Sequence, residues 1–127
     1  EWTHMVDIAP AYGVPHAALE RLAGCTVHEK VNVGLCHLRT PDIDWEFVEH
    51  CATRLLAEFG FTYYLEQALT AILLARAGAS PLSSRDYVVY PDAITARRAD
   101  CAAMHYVDDS RSFYYAFAWR QVLARSR

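Results

Sequence analysis

Lysine is almost missing from this chain: Lys30 stands alone against eleven arginines. With 12 basic and 15 acidic residues the formal net charge is −3. The basic footprint of a nucleic-acid binder is therefore absent, and no polybasic run offers itself to an anionic membrane. Long hydrophobic runs are missing too. The longest near-apolar stretch, Ala68 to Ala75, falls far short of the roughly 20 residues a membrane span needs. There is no internal repeat and no low-complexity tract. None of the four cysteines (Cys25, Cys36, Cys51, Cys101) forms a C-x-x-C pair.

What is present suits a folded domain. The chain has 127 residues, 54% of them hydrophobic and 21% charged, which excludes disordered and fibrous classes. That length fits one domain, or the C-terminal portion of one, over residues 1–127. It opens on Glu1 with no basic, apolar, small-residue leader. The cysteines sit in apolar patterns, so we read them as reduced small hydrophobes of a cytoplasmic chain. Cys25-x2-His28 followed by Cys36-His37 approaches zinc-ligand spacing. A closed structural shell needs four ligands, and adjacent strand residues point to opposite faces, which argues against it.

The pattern along the chain predicts α, β, α, α, β, β, α. Val14 to Leu22 reads as a short helix, with Pro15 near its start and Gly24 just past its end. Val27 to Leu38 reads as extended, because Val31, Val33 and Leu35 alternate with Asn32, Gly34 and Cys36. Gly34 inside a strand marks a bulge or a close approach. Thr40 then caps a helix with Pro41 at its first position. Ile43, Phe47, Val48, Cys51, Leu55 and Phe59 form its apolar stripe, and Gly60 stops it. Thr62 to Ala77 is apolar on nearly all sides and reads as a buried helix, stopped by Gly78. Tyr87 to Tyr90 and Ala102 to Val107 read as strands, and Ser112 to Ala124 as an aromatic closing helix with basic Arg120, Arg125 and Arg127 after it.

Three polar features stand out of this apolar frame. Asn32-Val33-Gly34 ends the first strand. Glu66-Gln67 lies in the buried helix. His105-Tyr106-Val107 ends the last strand, with Arg111 downstream. Asn32 offers a donor and an acceptor. Gly34 lets a ligand approach the backbone. Glu66 and Gln67 can bind hydroxyls, neutral His105 can ligate a metal, and Arg111 can neutralise a phosphate. Each also has a structural reading: Glu66 pairing with Arg76 or Arg54, or His105 as a hydrogen-bonded core residue.

In this order the features resemble the C-terminal half of GT-A-type glycosyltransferases, in particular the glycogenin-like and bacterial galactosyltransferase-like group. Asn32-Val33-Gly34 matches the group's N-x-G strand. Glu66-Gln67 stands where the group has Asp-Gln, Tyr87 to Asp92 matches a short strand loosely, and His105-Tyr106-Val107 matches the histidine motif without its glycine. The resemblance spans about Val27 to Trp119. It implies an α/β fold, mixed and helix-rich with a short central sheet, belonging to a larger GT-A-type (Rossmann-like) domain. It implies transfer of a sugar from a nucleotide-diphosphate sugar to an acceptor. His105 would ligate a Mn²⁺ or Mg²⁺ ion, Asn32, Gly34, Glu66 and Gln67 would line sugar and acceptor, and Arg111 would take the place of a diphosphate-binding lysine. The group's N-terminal nucleotide-binding half and its D-x-D have no counterpart: Asp42-Ile43-Asp44 has the letters but begins a helix, where acidic residues favour the positive end. That leaves a homo-oligomer or a missing N-terminal half to complete the site. The alternative is a non-catalytic α/β interaction domain whose aromatic closing helix packs on a partner; an exposed aromatic patch would mark it.

Overall fold

A computed structural model describes residues 12–125, with the side chain of Arg125 left aside. The described residues fall into two compact units, one ending at Pro81 and one starting at Leu82.

In the first unit, α1 (His16–Ala23), α2 (Trp45–Phe59) and α3 (Leu65–Arg76) pack together, with α3 against both of the others. Their core is Tyr12, Val14, Leu19, Ala23, Val27, Cys51, Leu55, Ala68, Ala71 and Ile72. The spacing explains the contacts. Cys51 and Leu55 lie one turn apart on α2, and Ala68, Ala71 and Ile72 share one stripe of α3. Small alanines on that stripe let the helices approach closely. Burial pushes the Cys51 thiol up, so it stays a protonated core residue. Arg76 lays its guanidinium 3.9 Å over the Phe47 ring. The helix ends agree with the glycine signals: Gly24 caps α1 at φ 70°, its N–H bonding the Glu20 carbonyl.

Three expectations need correction here. Residues 27–38 form no strand; the segment is irregular, with a turn at 33–34. The backbone of its first two residues is bonded by side chains from earlier in the chain. The Tyr12 hydroxyl donates to the His28 carbonyl, and His16 Nε2 is 2.7 Å from the Val27 carbonyl. A carbonyl only accepts, so Nε2 carries the proton. The Val27 N–H donates to Glu20 Oε1 at 3.3 Å. These bonds hold the start of the segment, at Val27 and His28, away from any ladder. Second, Thr40 does not cap α2. Thr40–Asp42 is a single 3-10 turn, Ile43 is extended, and Asp44 is the cap, its side chain accepting from the Phe47 N–H at 3.0 Å. Third, α3 buries one stripe and not its whole circumference, so Glu66 is exposed. The cysteines also divide: Cys51 is buried and Cys101 half-buried, but Cys25 and Cys36 are exposed, and all four are free thiols.

The second unit carries two short strands. β1 (Tyr87–Val89) pairs in parallel with β2 (Ala103–His105), in register Tyr87 to Ala103, Val88 to Met104 and Val89 to His105. The crossover holds a 3-10 turn, Thr95–Arg97, capped by Asp92, whose Oδ1 accepts from the Ile94 and Thr95 N–H groups at 3.1 and 2.6 Å. After β2, buried Ser110 closes a tight bend: its Oγ accepts from the Val107 N–H at 2.8 Å and donates to the Val107 carbonyl. The closing helix runs through 111–125 as an α-turn Arg111–Phe113, a π-helical stretch Tyr114–Ala118 and a final α-segment Trp119–Arg125. Arg97 stacks 4.3 Å over Phe117 and ties the crossover to that π stretch. The class is thus α/β, helix-rich, with a short two-stranded parallel sheet. No helix among the described residues is long and apolar enough to cross a membrane.

Candidate functional site

The two parallel strands end side by side, and polar side chains follow each of them at its carboxyl end. His105 is the last residue of β2; it is half-buried, and its carbonyl accepts from the Tyr90 N–H at 3.0 Å. Past β1 the chain turns at Tyr90, φ 55°, and past β2 at Asp108, φ 49°. No other described residue except glycine has positive φ. A side chain in that region costs on the order of 1–3 kcal/mol, and such residues gather at ligand sites. Here one sits at the exit of each strand. Ligands of parallel sheets bind outside the carboxyl ends of the strands, where loops leave the sheet in divergent directions.

The electrostatics of this edge are coherent. Partial burial, with the Asp109 and Asp108 carboxylates nearby, raises the Tyr90 hydroxyl. Both acids therefore lie within electrostatic reach of that phenol. Burial likewise raises the Tyr106 hydroxyl, with Cys101 and Tyr114 contributing, and that hydroxyl contacts Met104 Sδ at 3.2 Å. Tyr106 and Tyr114 rings stand 5.4 Å apart. Arg111 is exposed at the first residue of the closing helix. The edge so offers an imidazole, two carboxylates, phenols and a guanidinium. These are groups for a hard cation and an anion together. They do not make a metal cage. Among the described residues no three His, Cys, Asp or Glu converge on one point.

The remaining sequence-predicted residues belong to the first unit. Asn32 and Gly34 share one turn: Asn32 Oδ1 accepts from the Gly34 N–H at 2.9 Å. Gly34 is exposed there, so its role as a strand bulge gives way to that of a turn residue. Glu66 and Gln67 open α3, the first exposed and the second half-buried. Among the described residues Glu66 forms no ion pair. Neither Arg76, which covers Phe47, nor Arg54 pairs with it. Of the six residues, Asn32 and Gly34 share a turn, Glu66 and Gln67 are neighbours on α3, and His105 and Arg111 lie in the second unit.

Sequence reasoning passed over Tyr90 and the loop between α2 and α3. Tyr90-Pro91-Asp92 signals a strand end, but no local pattern signals a positive φ at a tyrosine. In the loop, Phe61 and Tyr63 are 84% and 88% exposed. No protein-family model, curated protein or solved structure matches the chain.

Proposed function

We propose that this chain is the acceptor-side part of a GT-A-type glycosyltransferase, transferring a sugar from a nucleotide-diphosphate sugar. The observation that carries the reading is the parallel pairing of β1 and β2, with His105 at a strand's carboxyl end and Arg111 six residues on. His105 would ligate Mn²⁺ or Mg²⁺, and that ion would offset the charge on the departing diphosphate. Arg111 binds a diphosphate oxygen through its planar fork. In the first unit, Asn32 and Gln67 orient sugar hydroxyls, Gly34 admits the ligand to the backbone, and the exposed Glu66 carboxylate accepts from acceptor hydroxyls. The test is a thermal shift of the longest native gene product against nucleotide-sugars, with and without Mn²⁺. Binding to the folded state raises the midpoint. A manganese-dependent shift that His105→Ala abolishes and Arg111→Ala weakens is the expected result. A shift unchanged in His105→Ala removes the metal assignment.

A second reading is favoured by one surface. Tyr115 (73% exposed), Trp119, Val122 and Leu123 form an exposed stripe along the closing helix. Such a stripe suits helix packing on a partner chain. Absence of any nucleotide-sugar shift, with mass that rises with concentration and falls on Trp119→Ser, would make the chain an interaction domain.

A further inference from the structure

The loop between α2 and α3 displays two exposed aromatic rings. Gly60 ends α2 at φ 75°, and the next four residues alternate. Phe61 and Tyr63 point out, while Thr62 and Tyr64 are half-buried. The inward pair fixes the loop. Thr62 Oγ1 accepts from the Tyr64 N–H at 3.3 Å. On its other side the Thr62 side chain fills the space over Gly13, where an added Cβ would come within 1.9 Å of Oγ1. Tyr64 meets Tyr63 edge-on, with centroids 5.4 Å apart and planes at 86°. The exposed rings thus stand on a packed backing.

The charge around them selects the occupant. No Lys, Arg or His occurs anywhere in residues 55–75. The acidic residues there are Glu58 and Glu66. Arg21 neutralises Glu58 through two 2.9 Å bonds, which leaves the unpaired Glu66 carboxylate in the first turn of α3. This stretch so offers phosphate, nucleic acid and anionic lipid no basic side chain of its own. It suits a neutral polyol: the aromatic faces take the C–H side of a pyranose, and the carboxylate accepts from its hydroxyls. We infer that residues 60–66 form a saccharide platform, with Phe61 and Tyr63 as stacking rings and Glu66 as hydroxyl acceptor. This deepens the transferase reading and rests on it for the identity of the acceptor as a neutral carbohydrate.

The experiment is saturation-transfer NMR on the whole chain with a panel of neutral oligosaccharides, without nucleotide or metal. Wild type is compared with Phe61→Ala/Tyr63→Ala and with Tyr63→Phe, each checked for an unchanged melting midpoint. The expected result is saccharide binding that the double variant weakens at least tenfold and Tyr63→Phe retains. No binding by wild type, or equal binding by the double variant, overturns the platform. So does self-association that the double variant abolishes in the absence of saccharide binding, because it gives the rings to a second copy of the chain. The two readings separate cleanly. Saccharide binding beside an absent nucleotide-sugar shift keeps the platform and sinks the transfer reaction. A manganese-dependent shift beside absent saccharide binding does the reverse.

Discussion

Gly13→Ala should be the most damaging single-methyl change in the first unit. Gly13 has φ 68°, where an alanine costs about 1–2 kcal/mol. The new Cβ would also lie 1.9 Å from Thr62 Oγ1, 2.9 Å from Thr62 Cβ and 3.3 Å from Cγ2. Rotation about χ1 can swing Oγ1 away, at the loss of its bond from the Tyr64 N–H, worth about 0.5–1.5 kcal/mol. No rotation moves Thr62 Cβ, so the backbone of the loop must shift; overpacking of that kind costs about 1–3 kcal/mol. The stiffer unfolded chain returns roughly 0.4–1 kcal/mol. The net is a loss of about 1.5–6 kcal/mol. Urea unfolding measures it, as a lower midpoint at unchanged slope. It should be followed on the methyl resonances of buried Leu19 and Leu55, because a whole-chain signal would mix two units. Thr62→Ala removes Oγ1 and Cγ2, so Gly13→Ala should cost about 1 kcal/mol less in that background. A Gly13→Ala chain within about 0.5 kcal/mol of wild type, or strict additivity with Thr62→Ala, would refute the contact.

Other expectations follow from the same packing. Asp44→Ala should cost about 1 kcal/mol and Thr40→Ala under about 0.5, since only Asp44 caps α2; thermal melts of the two variants decide it. Leu55→Ala, at a fully buried position, should cost about 3 kcal/mol in the same urea assay. Burial pushes the Tyr12 hydroxyl up to about 12, from an ordinary value of 10.0. The folded state holds that proton more tightly, so the stability it contributes is whole below pH 10.0 and is lost as pH rises through about 12. Two pH units correspond to roughly 3 kcal/mol; Tyr12→Phe should flatten the alkaline decline, and an unchanged slope contradicts the burial. The Arg39 guanidinium, hydrogen-bonded to Asp42 at 2.7 and 2.8 Å, holds that carboxyl below its ordinary range. Its carboxyl carbon, followed by NMR, should titrate higher in Arg39→Ala.

Where local chemistry decides, the chain could be read directly. Pro15 and Gly24 bracket α1, Gly60 and Gly78 stop the next two helices, and Cys51 with Leu55 marks the buried stripe of α2. The β-branched and aromatic strands 87–89 and 103–105 fall inside the expected ranges. Where partners distant in sequence decide, reading failed. The alternation of Val31, Val33 and Leu35 fits a strand, but Tyr12, His16 and Glu20 take up nearby backbone groups from 16, 11 and 7 residues away. The apolar run around Glu66 suggested burial on all sides; two neighbouring helices cover one stripe. Of the candidate site, His105 and Arg111 could be picked out by residue type and position. The backbone at Tyr90 and Asp108 could not, because tertiary packing imposes those angles.

The π-helical stretch has a consequence for how this protein can change. A π turn is an α-helix carrying one residue more than it needs. Removing one residue from Tyr114–Ala118 would let the closing helix run as a regular α-helix. Everything from Trp119 onward would then keep nearly its present direction, because the π turn is what absorbs the extra residue. Trp119, Val122 and Leu123 would stay on the same face, while Arg111 and the strands before it kept their places. A one-codon deletion within this stretch could thus be absorbed with the exposed stripe and the polar edge of the sheet both inherited unaltered, whereas the same deletion in a regular α-helix would turn everything after it by about 100°.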